Sequence, residues 1–282
     1  MKNISELVSD TCSSFKSIIK VVLLSRPVSK KIRKEGEGKR MLILGNGPAL
    51  KQDLAEHLEE IKEGPSMEVN FAANAPEFFQ VRPAYYIMID PDFFNQPYSE
   101  MVSLLIANLK KVDWDMLMFV PMDKVAQMRR DIGNSRIDIV GINPVGVEGW
   151  GSLESWAYST GLGMPRPRNV LIAAIMAVIA MGFKEIYLLG ADHSWSRTLS
   201  VDEENYVVSV QPHFYKDNPV AVAKSRELFR GVRIHEVMES YSIAFRSYHR
   251  IKRFADKKGI HIYNATTGSF IDAFPRKKPW DS

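Results

Sequence analysis

Met41-Leu-Ile-Leu-Gly-Asn-Gly-Pro-Ala-Leu-Lys51 is an apolar run that breaks at Gly45, Asn46 and Gly47 and restarts as a helix. A strand, a tight turn and a helix N-terminus are thus packed into one short stretch. Glycine at 45 and 47 admits backbone conformations that a side chain forbids and lets a ligand come close to the main chain. Pro48 suits a first helical turn, where its missing N–H would be unbonded anyway. Free N–H groups and the positive end of the helix dipole would then face the turn, a natural seat for a phosphate. The Asn46 amide both donates and accepts, so it could read a more specific group. The plain alternative is that any doubly wound α/β protein needs a turn after its first strand.

Outward from this stretch, apolar runs alternate with helical periods. Strands are expected at 41–44, 67–71, 84–89, 116–120, 137–140, 185–189 and 260–263. Helices are expected at 49–62, with Leu50, Leu54 and Leu58 on one stripe, at 98–110, before the fifth strand, at 170–181 and at 236–257. This alternation is the pattern of a doubly wound, mostly parallel Rossmann-like α/β sheet covered on both faces. Two stretches, 141–168 and 191–233, show no sustained period and read as lid-type insertions. The domain organisation expected is a basic amphipathic segment and linker at 1–38, a nucleotide-binding catalytic domain at 39–275, and a basic tail at 276–282.

The 282 residues are enough to bury a substantial core. The single cysteine, Cys12, excludes an intramolecular disulfide framework and fits a reducing, cytoplasmic setting. No apolar run is long enough to span a bilayer, and the acidic Glu6 and Asp10 argue against a cleavable leader. Basic residues crowd the first forty positions and recur at Arg276, Lys277 and Lys278. Cationic ends attract nucleic acid or an anionic membrane face. Residues 3–25 form an amphipathic helix with Phe15, Ile18, Ile19, Val22 and Leu23 on one side, suited to a membrane surface, to the domain or to a second subunit.

Ligands of open α/β sheets bind beyond the carboxyl ends of the strands. That edge would collect Asn46, Asn70, Asp90, Asp192, His193 and Asn264. Each has a dull alternative, since Asn and Asp favour turns by bonding their own backbone.

Gly45-Asn-Gly-Pro-Ala-Leu-Lys51 resembles the opening motif of the bacterial sialyltransferases of glycosyltransferase family 42. Asp90-Pro-Asp-Phe-Phe94 resembles their third-strand segment, and Met181-Gly-Phe-Lys-Glu-Ile-Tyr-Leu-Leu-Gly-Ala-Asp192 their segment ending in Gly-x-Asp. The resemblance spans about 40–270 and extends to the MptE-like and motility-associated proteins with the same core. It implies a GT-A-like variant of the fold and metal-independent transfer from a CMP-activated nonulosonic acid to a glycan or glycolipid acceptor in bacterial surface glycan synthesis. No cofactor is then expected. By the same resemblance Gly45, Asn46, Gly47 and Asn70 would hold the nucleotide, with Gly190 and Asp192 at the ribose or base. Asp90 replaces the family's Asn, and a carboxylate repels a phosphate that an amide would bond. The family's Thr-Ser-Gly is absent, and Arg168-Asn169 stands near its place, so Arg166 or Arg168 could serve a phosphate or carboxylate. Its tyrosine pair is replaced by His193, Ser194 and Trp195. A base is still needed for the acceptor hydroxyl, and His213 is the first choice, with His193 or His235 as substitutes.

Two other readings compete. Asp90-x-Asp92 fits the pattern by which some glycosyltransferases hold Mg²⁺ or Mn²⁺. With Asp192 the pair would serve an MptE-like 6-hydroxymethylpterin pyrophosphokinase using ATP and Mg²⁺. The basic ends would serve a non-catalytic polyanion-binding module, although no aromatic-interleaved basic surface marks the core and no nucleic acid partner is expected. A P-loop kinase is disfavoured because no Gly-x4-Gly-Lys-Ser/Thr sequence occurs. Further expected partners are an anionic inner membrane face and a second copy of the chain.

Overall fold

A computed structural model describes residues 4–28, 36, 38–209 and 226–281. It contains helix α1 (Ile4–Leu24), strand β1 (Arg40–Leu44), α2 (Ala49–Lys62), β2 (Ser66–Val69), α3 (Phe78–Val81), β3 (Tyr85–Ile87), α4 (Glu100–Leu109), β4 (Met116–Pro121), α5 (Val125–Ile132) and β5 (Ile137–Ile142). Then follow α6 (Gly151–Thr160), α7 (Val170–Ala180), β6 (Glu185–Leu189), the hairpin strands β7 (Leu199–Val201) and β8 (Val207–Ser209), α8 (Ile234–Asp256) and β9 (His261–Asn264).

Among the described residues, seven strands form one sheet in the order β5-β4-β3-β2-β1-β6-β9, and every neighbouring pair is parallel. This is the Rossmann-like α/β architecture expected from the alternation. The chain winds outward from β1 to β5, then returns to β1's other side to lay down β6. In β1, Met41 and Ile43 face a core layer shared with α7 and α8, while Leu42 and Leu44 face α2 and its Leu50, Leu54 and Leu58. Strands covered on both faces lose the polar alternation of half-exposed strands. α7 is buried from Val170 to Val178, which explains its apolar circumference.

Several expectations are revised. β2 ends at Val69, two residues early, because Asn70 turns left-handed (φ 50°) and starts a 3-10 turn to Asn74. The 141–168 stretch is not irregular throughout. It holds α6, which buries only Ala157 and Tyr158 and so leaves no apolar stripe in the sequence. Part of the second insertion is the β7–β8 hairpin, and 210–225 lies outside the described residues. The basic C-terminal residues pack back on the domain. Arg276 donates to the carbonyls of Thr266 (3.0 Å) and Ser269 (2.6 Å), Lys278 pairs with Asp53 at 2.5 Å, and Trp280 stacks on His57.

No helix of the described residues is long and apolar enough to cross a membrane.

Candidate functional site

The order reverses between β1 and β6, and a crevice forms where two such neighbouring strands send their connections to opposite sides. Both strands end there in glycine turns that touch. The Gly45 N–H donates to Leu189 O (2.8 Å) and the Gly47 N–H to Gly190 O (2.9 Å). A methyl group on Gly47 would stand 1.9 Å from an Asp192 carboxylate oxygen, and one on Gly45 2.5 Å from Gly190 O. Glycine is therefore dictated here by contact between two backbones.

A cleft of about 540 Å³ opens above this junction. Gly45, Asn46, Gly47, Asn70, Asp90, Arg168, Gly190, Asp192 and His193 all line it. His213 lies outside the described residues. Asn264 stays out of the cleft: it is buried, donating to Ser269 Oγ and Ile271 O and accepting from the Thr266 N–H, so it holds the turn after β9. His235 begins α8 and likewise lies outside the lining.

The glycine turn presents fewer free donors than the sequence suggested. Gly45 N–H is bonded to Leu189 and Gly47 N–H to Gly190, and the Asp192 carboxylate stands against Gly47 beside the first turn of α2. A carboxylate thus occupies the seat expected for a phosphate. Burial raises the Asp192 pKa above its ordinary value, and the nearby backbone N–H of Ala49 works against that rise. Across the cleft, the N-terminus of α7 opens on the same space through Arg168, Asn169, Val170 and Leu171. Arg166 is engaged by Glu148 at 2.8 Å, whereas Arg168 is exposed and makes no ion pair within the described structure.

Asn46 donates to Val69 O (3.1 Å), tying the first turn to the end of β2. The Asn70 carbonyl accepts from the buried Tyr86 hydroxyl, which holds the left-handed backbone in place. Asp90 caps the 3-10 turn at Pro91–Phe94 by accepting the Asp92 N–H (3.0 Å). Asp92 in turn meets Asn95. Among the described residues no group of three or more His, Cys, Asp or Glu is placed to hold a metal ion, so Asp90, Asp92 and Asp192 do not assemble into one.

His193 is buried at the cleft wall, also left-handed (φ 50°), with Trp195 tilted against its ring at 4.2 Å. Its Nε2 lies 2.6 Å from the Tyr248 hydroxyl, which donates to Asn169 Oδ1 (2.9 Å). Asn169 Oδ1 is fixed as the oxygen because it also accepts the Leu171 N–H. The single Tyr248 proton goes to Asn169, so Nε2 must be the protonated nitrogen and Nδ1 keeps the lone pair. Burial drives the His193 pKa down to about 3, which keeps the ring neutral. The sequence reading missed Tyr248 and gave Asn169 no role. Asn169 was legible as an N-cap before an apolar run, but nothing local marks Tyr248.

No protein-family model matches the chain, and no curated protein matches it. Among solved structures, the chain is similar to that of MAf glycosyltransferase from Magnetospirillum magneticum AMB-1, with a TM-score of 0.50 and 11% identity. The alignment covers 98% of this chain and 39% of that one, so the chain spans well under half of that protein's length. At this identity the likeness is one of fold.

Proposed function

We propose that the protein is a glycosyltransferase that uses a nucleotide-activated sugar, with a CMP-nonulosonic acid as donor. The observation that carries this reading is the set of orphan polar atoms in the cleft. Asn70 Oδ1, Asn169 Nδ2 and Asp192 Oδ2 are buried with no hydrogen-bond partner, and all three residues line it. Burying such groups unpaired costs about 1–3 kcal/mol each. A ligand rich in hydroxyls, offering donors to the two oxygens and an acceptor to the amide, would remove that cost. Ribose and sugar have this chemistry.

Arg168 and the α7 N-terminus suit the donor's phosphate or carboxylate. Asp192 at the α2 N-terminus disfavours a phosphate there and suits ribose hydroxyls instead. In the reaction, the acceptor oxygen attacks the anomeric carbon, the bond to the nucleotide phosphate breaks, and the acceptor proton passes to Nδ1 of His193. The developing phosphate charge raises the basicity of the imidazole as the proton arrives. Tyr248 and Asn169 hold the ring in the needed tautomer. The similar fold of a glycosyltransferase supports the coarse reading, and the family 42 resemblance supports the donor and a glycan or glycolipid acceptor.

The test is release of CMP from CMP-sialic acid in EDTA, with and without oligosaccharide acceptors. His193→Ala is expected to lower kcat about 100-fold with little change in the donor KM. Release at the rate of water alone for every donor, or a fully active variant, would overturn the assignment.

A further inference from the structure

The geometry points to α1 as a device that seats the protein on an anionic lipid surface, lying in the plane of the interface. This inference stands apart from the proposed reaction. α1 docks on the domain by its small, polar face. Ser17 Oγ donates to Glu148 O (2.8 Å) and accepts the Glu148 N–H (3.0 Å), and Ser14 Oγ accepts the Trp150 N–H (2.8 Å). A methyl group on Gly149 would meet Ser14 Oγ at 2.2 Å, so the approach is close and the helix's rotation is fixed.

That rotation turns the apolar face outward. Ile4, Leu7, Val8, Phe15, Ile18, Ile19 and Val22 are 40–82% exposed. At the helical turn angle they fall within an arc of about 120° that contains no charge, on a helix about 31 Å long. A helix normally buries its apolar stripe and shows its serines to water. Here the order is largely inverted: Ser14 and Ser17 are buried together with Val21, and the apolar arc faces outward. The helix is not apolar and long enough to cross a bilayer, so it would lie on one.

Charge selects the occupant. Lys16 and Lys20 are exposed in the second half of α1 and Arg26 is exposed just after it, while the acidic Glu6 and Asp10 lie in its first half. This composition complements anionic headgroups. Trp150, whose backbone is bonded to α1, is 44% exposed, and Trp156 on α6 is 49% exposed, the residue type that settles at headgroup level. A second copy fits less well, because an antiparallel pair of α1 helices would set this lysine edge against itself.

The full chain is mixed with vesicles of phosphatidylcholine alone or with phosphatidylglycerol and sedimented. Binding is expected to phosphatidylglycerol vesicles, weakened by salt, and to fall about tenfold on phosphatidylcholine alone. The pair Phe15→Glu and Val22→Glu should lose binding about tenfold with an unchanged melting temperature, since both side chains are exposed. Lys16→Glu with Lys20→Glu should weaken binding only to the anionic vesicles. No binding to phosphatidylglycerol vesicles, equal binding by the Phe15 and Val22 variant, or a solution dimer that this variant dissolves would overturn the inference.

Discussion

Gly47 carries no side chain because Asp192 stands where one would be. Gly47→Ala is therefore expected to push the two turns apart, costing about 2–4 kcal/mol in chemical denaturation and abolishing ligand binding. Gly45 and Gly47 were visible in the sequence because glycine before a restarting helix has few other reasons to be there, and Gly190 through the resemblance of its Gly-x-Asp segment. Buried chemistry away from turns was not visible. Glu68, inside β2, is buried, and burial together with the nearby charge of Glu77 pushes its carboxyl up to about 8 from 4.5. Between those values the folded chain holds a proton that the unfolded chain releases, so this residue's contribution to stability falls as pH rises through that window. Glu68→Gln is expected to match the wild type near the lower limit and to be more stable at and above the upper one, measured as the difference in melting temperature across pH. A constant difference at all pH values would show that Glu68 ionises normally. For His193 the shift is the reverse. Its folded pKa of about 3 lies below the ordinary 6.5, so its contribution to stability is lost as pH falls through that interval. Bound nucleotide should raise the value, readable as a shift of the His193 ring signals in an NMR titration, and Tyr248→Phe should alter that titration without unfolding the chain.

At the scale of elements, strands and helices that bury a regular stripe were readable, and those that dock by other means were not. The stripe of Leu50, Leu54 and Leu58 located α2, and the unbroken apolar run located α7. α6 escaped because it buries two residues and presents Trp156 to water. The existence of α1 was legible, but its orientation was not, because an apolar stripe is ordinarily the packed face. What anchors its far end is Asn143, at the end of β5. Asn143 accepts the Arg26 N–H (2.9 Å) and donates to the carbonyls of Arg26 and Gly161 (2.8 Å each). Asn143→Ala removes three hydrogen bonds at a buried position and is expected to cost about 1–3 kcal/mol. Hydrogen exchange should then quicken through residues 4–28 while β1 and β6 stay protected. Equal loss of protection in the central strands would mean that α1 is not separately anchored there.

For the whole molecule, the parallel sheet and the place of the cleft follow from one topological fact: β6 returns to the side of β1 opposite β2. The alternation of elements made the sheet class legible, and the rule that ligands sit beyond the carboxyl ends gave the edge. Strand order is set by long-range pairing, so the sequence could not show which two turns would meet. Nor could it show that Asp192 would fill the seat the first turn offered to a phosphate, or that the α7 N-terminus would open opposite. The central claim, that this cleft receives a nucleotide-activated sugar without a metal, is tested most directly by melting temperature. CMP, CDP, UDP, GDP and ATP are each added in EDTA or with Mg²⁺, since a ligand preferring the folded state stabilises it by about 2.7 kcal/mol at 100 times its Kd. CMP or CDP is expected to raise the melting temperature in EDTA, and Asn70→Ala is expected to diminish that rise. Stabilisation only by ATP or UDP with Mg²⁺, or by none of the five, would contradict it.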